Sequence, residues 1–121
     1  MKALLVDDAS LIRMSLKDIL DESNYDFEYL EAGNGSEAVK LYKKNQPDVV
    51  IMDIAMPEMD GIAAVSRIKE MDDKAKIIMC SSMGSEEKVI EAVNAGATDF
   101  IVKPYEGSKV ISAIEKVMKR N

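Results

Sequence analysis

The sequence contains no histidine, and that absence excludes several kinds of site at once. A nucleophile activated by a histidine base, a transition metal held by imidazole and a phosphohistidine carrier all need that side chain. Cysteine is almost as scarce, because Cys80 is the single one and cannot form an intramolecular disulfide. It lies in an apolar run, where we expect a small buried residue and no redox role. The chemistry of this chain must therefore use carboxylates, hydroxyls and lysines.

Long apolar runs and an excess of positive charge are also missing. The run Ala3–Val6 is followed at once by two aspartates, so it is too short for a signal peptide or a membrane span. With 22 acidic and 16 basic residues, the net charge of -6 does not suit binding to nucleic acid or to a membrane surface. We therefore expect a cytoplasmic protein whose partners are neither nucleic acid nor membrane.

Short apolar runs alternate with segments of helical spacing along all 121 residues, a length that fits one domain over 1–121. The second run has more polar residues than the others, which favours an edge position, and Asp8 or Ser10 is expected to cap the first helix. Five strand–helix units predict an α/β, flavodoxin-like (βα)5 fold, a doubly wound parallel sheet in strand order 2-1-3-4-5. The predicted strands are Lys2–Val6, Phe27–Ala32, Val49–Asp53, Lys76–Cys80 and Asp99–Val102.

Three carboxylates are predicted to meet at one edge of this sheet. Asp7 and Asp8 follow the first strand, and Asp53 ends the third strand, which the predicted order places beside the first. Helix capping by Asp7 and Asp8 would explain one of these two residues but not both. Crowding like charges costs energy unless a cation or protonation relieves it, and all-oxygen ligands suit Mg²⁺.

A hydroxyl and a lysine are expected at the same edge, because Ser81 ends the fourth strand and Lys103 ends the fifth. This set is what accepting a phosphoryl group requires. Asp53 would act as the nucleophile without a general base, while Mg²⁺ and Lys103 neutralise the transferring oxygens and Ser81 donates a hydrogen bond. The chain offers no primary donor, so the phosphoryl group must come from outside.

Two other interpretations remain open at this point. The spacing Gly33-x-Gly35-x-x-Ala38, with Asp53 twenty residues beyond Gly33, mimics a dinucleotide-binding fingerprint, although it follows a predicted edge strand. A phosphatase that turns over through an aspartyl enzyme is the second, but such enzymes typically carry an Asp acid/base where this chain has Ala55.

Five spaced motifs, in this order, resemble those of the receiver domain of two-component response regulators, most closely the stand-alone chemotaxis (CheY-like) type. They are Val6-Asp7-Asp8, Met52–Pro57 with Asp60-Gly61, Cys80-Ser81-Ser82, Gly96-Ala97 and Phe100–Pro104. The resemblance covers the whole length and implies a single receiver domain over 1–121 with no effector domain.

The resemblance also implies roles for individual residues. Asp53 would be the phosphoacceptor, and Asp8 with the Ala55 main-chain carbonyl would bind Mg²⁺ together with Asp53, Asp7 acting through water. Ser81 would be the switch hydroxyl and Phe100 the switch aromatic, although Phe100 lacks the hydroxyl of the tyrosine common there. Lys103 would be the family's site lysine, with a cis bond to Pro104. Ala55 and Met83 stand where family members often carry polar residues.

The function implied is a phosphorylation-activated signalling switch and not an enzyme, because the domain assists only its own phosphorylation and dephosphorylation. A sensor histidine kinase would donate the phosphoryl group. A downstream protein such as a flagellar motor switch component would read the face made by the fourth helix, fifth strand and fifth helix. A phosphatase is a further expected partner, and the chain is expected to be monomeric. The alternative is a phosphorelay intermediate that passes the phosphoryl group to a histidine phosphotransferase.

Overall fold

The computed structural model describes residues 1–82 and 85–119, in which strands and helices alternate. Strand ends agree with the predicted ones to within one residue. The strands are β1 (Lys2–Val6), β2 (Glu28–Ala32), β3 (Val49–Asp53), β4 (Ile77–Ser81) and β5 (Asp99–Val102). The helices are α1 (Ser10–Asp21), α2 (Gly35–Asn45), α3 (Gly61–Met71), α4 (Glu86–Ala95) and α5 (Gly107–Met118).

All strand pairs are parallel, and the sheet has the predicted order β2-β1-β3-β4-β5. The register pairs Val6 of β1 with Met52 of β3, so the residues that follow these two positions lie side by side at the carboxyl edge. The polar strand β2 lies at one edge of the sheet, as its composition predicted. The doubly wound fold class is therefore confirmed.

Two hydrophobic cores cover the two faces of the sheet, because successive side chains of a strand point in opposite directions. On one face Leu4 and Val50 pack with residues of α2, α3 and α4, while on the other Leu5 and Ile51 pack with residues of α1 and α5. The apolar residues of β3 are fully buried, which explains why its sequence is apolar without alternation. Each fully buried Leu or Ile contributes about 1.5–3 kcal/mol to this packing.

The prediction for the start of α1 was wrong. Neither Asp8 nor Ser10 caps the helix; the N-cap residue is Ala9, and it makes no side-chain capping bond. The Asp7 carboxylate instead accepts a hydrogen bond from the Ala9 N–H at 2.9 Å, and Asp8 is exposed. The carboxylates of this loop are directed toward the sheet edge, so the helix begins without them.

Two smaller expectations concern Cys80 and the membrane. Cys80 is fully buried in β4, and burial raises the pKa of its thiol to about 12, which fits a core residue. Among the helices of residues 1–82 and 85–119, none has the length and apolarity needed to cross a bilayer.

Candidate functional site

The three aspartates come together at the carboxyl edge of the sheet. One carboxylate oxygen from each of Asp7, Asp8 and Asp53 lies within 4.8 Å of the other two. Asp7 directly follows β1 and is 1% exposed, whereas Asp8, one residue later, is exposed to solvent. The adjacency of β1 and β3 creates this cluster from residues more than forty positions apart.

Lys103 links two of these carboxylates. Its ammonium Nζ lies 3.0 Å from Asp7 Oδ2 and 3.1 Å from Asp53 Oδ2. The lysine is placed by β5, because its main-chain N–H continues the ladder with a 2.7 Å bond to the Ser81 carbonyl. The Lys103–Pro104 peptide bond that follows is cis, as expected. One cation thus serves carboxylates from two neighbouring strands.

Burial and neighbouring charges have opposing effects on the pKa values of Asp53 and Lys103. Burial raises the pKa of Asp53, the bond and charge of Lys103 lower it and the charge of Asp7 raises it, so that the net pKa lies above its usual value. Burial lowers the pKa of Lys103, but its bonds to Asp7 and Asp53 outweigh that effect and the net pKa is raised. Lys103 therefore remains a cation at neutral pH.

The donor set fits a hard divalent cation. The cluster offers carboxylate oxygens only, and three carboxylates are balanced by one ammonium. Within the described residues no Lys or Arg nitrogen lies within ion-pair distance of Asp8, so its charge has no protein partner there. Oxygen ligands with excess negative charge at a solvent-accessible edge are what Mg²⁺ prefers.

The loop from β3 to α3 is anchored at two points beside Asp53. The Gly61 N–H bonds to the Ile54 carbonyl at 2.8 Å, and the Gly35 N–H at the start of α2 bonds to the Met59 carbonyl at 3.0 Å. Asp60 caps α3 by accepting a bond from the Ala63 N–H at 2.9 Å. These contacts hold the segment containing Ala55 over the carboxyl edge of the sheet.

Gly35 of the apparent dinucleotide fingerprint has a packing explanation. A Cβ atom at Gly35 would overlap the carbonyl oxygen of Met59, so only glycine allows α2 to begin this close to the loop. Asn34 caps α2 with a 2.9 Å bond from the Glu37 N–H. The motif also follows β2, an edge strand, whereas a dinucleotide site in a sheet of this order is expected at the switch point between β1 and β3.

Ser81 lies between the aspartates and an apolar groove. It is 3% exposed, yet its hydroxyl has no hydrogen-bond partner among residues 1–82 and 85–119. On one side it faces a cavity of about 410 Å³ that also contains Asp53 and Ala55. Sequence reasoning missed a cation in this cavity, Lys88 of α4, which no motif marks.

On its other side Ser81 lines a groove between α4 and β5. Phe100, which is 44% exposed, lies in this groove together with Val89, Ile90 and Val102. The predicted switch hydroxyl and switch aromatic therefore share one surface. Met83, the other position noted beside the site, lies outside the described residues.

Arg13 is a second residue that sequence reasoning missed. It belongs to α1, and its guanidinium Nη1 donates a hydrogen bond to the main-chain carbonyl of Asp7 at 2.5 Å. Its Nε forms a 2.9 Å ion pair with Glu31 of β2. The helical spacing of α1 places an arginine near the sheet edge, but no motif marks the contact with Asp7.

Comparison with known proteins gives consistent matches over nearly the whole chain. The pattern of the response regulator receiver domain matches residues 3–115. The chain is 53% identical to the chemotaxis protein CheY of Thermotoga maritima, with 98% of each covered, and 51% identical to that of Bacillus subtilis, with 97% of each covered. It is also similar to the crystal structure of the receiver domain of NtrX from Brucella abortus, with a TM-score of 0.90 and 28% identity over 98% of this chain and 99% of that one.

Proposed function

Because the chain belongs to the response regulator receiver domain family, we propose that it is a phosphorylation-activated switch in which Asp53 accepts the phosphoryl group. One observation carries the proposal: the Asp53 carboxylate, whose side chain is 12% exposed, lies 3.1 Å from the Lys103 ammonium and within 4.8 Å of oxygens from Asp7 and Asp8. These groups come from the ends of three strands at one sheet edge, which supports their acting together as nucleophile, cation and metal ligands.

The reaction begins with attack by an Asp53 carboxylate oxygen on the phosphorus of the donor. A phosphorus–oxygen bond forms to give an aspartyl phosphate, and the donor's bond to phosphorus breaks. In a phosphohistidine of a sensor kinase, the electron pair of that bond returns to the imidazole nitrogen. The ionised carboxylate has no proton to lose, so the step needs no general base.

The surrounding residues stabilise charge on the phosphoryl group. The Lys103 ammonium is held at the site by Asp7 and can follow the oxygens as negative charge builds on them. The Ser81 hydroxyl, which has no partner in the described part of the chain, can donate to one phosphoryl oxygen. Asp7, Asp8, Asp53 and the Ala55 carbonyl would hold Mg²⁺, which supplies further positive charge to these oxygens when bound.

Signalling follows from the position of Ser81 beside the groove of Phe100. Movement of the hydroxyl toward the phosphoryl group frees space for the aromatic ring, and the face formed by α4, β5 and α5 changes shape. The two CheY relatives favour chemotaxis, with a sensor histidine kinase as donor, a flagellar motor switch component as reader and a phosphatase that resets the switch. The domain turns over no substrate of its own.

A phosphorelay intermediate is the second candidate, since an aspartyl phosphate can also return its phosphoryl group to a histidine. Incubating the phosphorylated chain with an isolated histidine phosphotransferase domain distinguishes the two. A terminal switch keeps or hydrolyses its phosphoryl group, whereas an intermediate transfers it within minutes to the added domain.

The chemistry is tested by incubation with acetyl phosphate and Mg²⁺, followed by intact-mass measurement. We expect a labile adduct of one phosphoryl group that is absent without Mg²⁺ and absent in Asp53→Asn. Asp73→Asn, which removes an exposed carboxylate after α3, is the matched control and should be modified like the wild type. No adduct, or an adduct that persists in Asp53→Asn, would overturn the proposal.

A further inference from the structure

Arg13 connects the loop of the aspartates to the edge strand. Its side chain is 17% exposed, and its guanidinium bonds at one end to Glu31 of β2 and at the other to the Asp7 carbonyl. Glu31 accepts a second ion pair, at 2.7 Å, from Lys17 one turn further along α1. Arg13 and Lys17 thus share one carboxylate, and of the two it is Arg13 that bonds to Asp7.

The contact fixes the peptide group between Asp7 and Asp8. The other polar groups of Asp7 are also bonded: its N–H to the Ala32 carbonyl, Oδ1 to the Ala9 N–H and Oδ2 to Lys103. Since a peptide group is planar, holding the Asp7 carbonyl also fixes the direction in which the chain enters Asp8. Asp8 itself is exposed, so the orientation of its side chain depends on this peptide.

We propose that Arg13 is a positioning residue for the cation site, acting through the Asp7 carbonyl to aim the Asp8 carboxylate. The assignment rests on the proposed function, because it takes the three carboxylates as the ligands of Mg²⁺. Outer contacts that orient metal ligands commonly contribute a tenfold or greater difference in metal affinity. Glu31 pairs with the guanidinium and offsets part of the positive charge that Arg13 brings toward the site.

A positioning role and simple charge repulsion predict opposite changes in Mg²⁺ affinity when Arg13 is replaced. If Arg13 acted only through its charge, Arg13→Met would remove a repelling cation and tighten Mg²⁺ binding. If it positions the Asp7–Asp8 peptide, the same change weakens binding even though a cation is lost. Arg13→Lys also distinguishes the two explanations, because lysine keeps the charge but cannot bond to Glu31 and to the Asp7 carbonyl with one planar group. Positioning predicts weaker Mg²⁺ binding in this variant, and charge repulsion predicts no change.

The test is titration of the full chain with Mg²⁺ alone. Binding is measured by calorimetry and by the NMR shifts of the Asp8 and Ala9 amides. We expect Arg13→Met to weaken Mg²⁺ binding about tenfold and Arg13→Lys to give an intermediate loss. Lys17→Met is the matched control: it removes the other ion pair of Glu31 and should leave the affinity within about twofold of the wild type.

Three outcomes would overturn the assignment. They are unchanged or tighter Mg²⁺ binding in Arg13→Met, full affinity in Arg13→Lys, and an equal loss in Lys17→Met. Circular dichroism checks that each variant is folded, and Arg13→Lys carries the test if Arg13→Met is not. If the wild type binds Mg²⁺ and is phosphorylated while Arg13 variants keep full affinity, only the role of Arg13 fails; if the wild type binds no Mg²⁺, the proposed function fails with it.

Discussion

The carbonyl oxygen of Asp53 lies so close to Gly61 that a Cβ atom at that position would overlap it. The same atom would also lie 2.7 Å from Met79 Cε and 2.9 Å from Ile54 Cα. Two of these three neighbours are main-chain atoms next to Asp53 and cannot move without displacing its carboxylate. Glycine is needed here because the loop folds back directly against the end of β3.

Gly61→Ala is therefore expected to destabilise the domain by about 2–3 kcal/mol, the usual cost of overpacking at a site that cannot relax. The measurement is urea unfolding followed by circular dichroism. Gly107→Ala is the matched control, since it is also the first residue of a helix but has no atom within 4 Å of its Cβ position among the described residues. We expect it to change stability by less than about 1 kcal/mol. Equal stability of Gly61→Ala and wild type would show that the loop is not this close.

The first residues of the helices show that side-chain capping can be lost where the same side chains have other contacts. Asn34 and Asp60 cap α2 and α3 with side-chain bonds, which is the behaviour their residue types predict. The carboxylates before α1 do not cap it: Asp7 is bonded to Lys103, 96 residues away, and Asp8 lies with Asp7 and Asp53 in the carboxylate cluster. The sequence around α1 carries no sign of that competition, so local capping rules failed where the chain forms its site.

Asn34→Ala should cost about 1 kcal/mol in the free energy of unfolding, since it removes the bond to the Glu37 N–H and leaves that donor unpaired in the helix. Ser85→Ala is the matched control: Ser85 is the N-cap residue of α4 but makes no side-chain capping bond. Its replacement should change stability by a few tenths of a kcal/mol at most. Equal losses in the two variants, measured by thermal unfolding, would contradict the assignment of Asn34 as the stabilising cap.

The architecture of the whole molecule was predictable because apolar runs fix which segments are buried strands, and right-handed crossovers then leave few strand orders. The same logic brought Asp7, Asp8 and Asp53 to one edge, since each follows or ends a strand. The contacts of Arg13 and Lys88 could not be predicted, because they depend on side-chain conformations and loop positions that no short motif encodes. That the Ser81 hydroxyl has no partner among the described residues likewise appears only when distances between strands are known.

The Ser81 hydroxyl, which finds no partner within residues 1–82 and 85–119, bears on how the whole domain would switch. A buried polar group without a partner costs about 1–3 kcal/mol, and a phosphoryl oxygen on Asp53 would remove that cost. A difference of this size between two conformations shifts the ratio of their populations by roughly fivefold to a hundredfold. Because Ser81 lines both the cavity of Asp53 and the groove of Phe100, the shift is expected to change the exposure of the ring.

The sequence contains no tryptophan, so Phe100→Trp supplies a single fluorescent reporter in that groove. With acetyl phosphate and Mg²⁺ we expect its emission to shift to shorter wavelength, because the ring moves from a partly exposed position into an apolar one. The shift should disappear in Phe100→Trp with Asp53→Asn, and shrink in Phe100→Trp with Ser81→Ala although intact mass still shows phosphorylation. Phe27→Trp, beside Tyr25 and Tyr29 and outside the groove, should report no change. Unchanged emission of fully phosphorylated Phe100→Trp would show that phosphorylation of Asp53 does not affect the groove. That result would refute the coupling through Ser81.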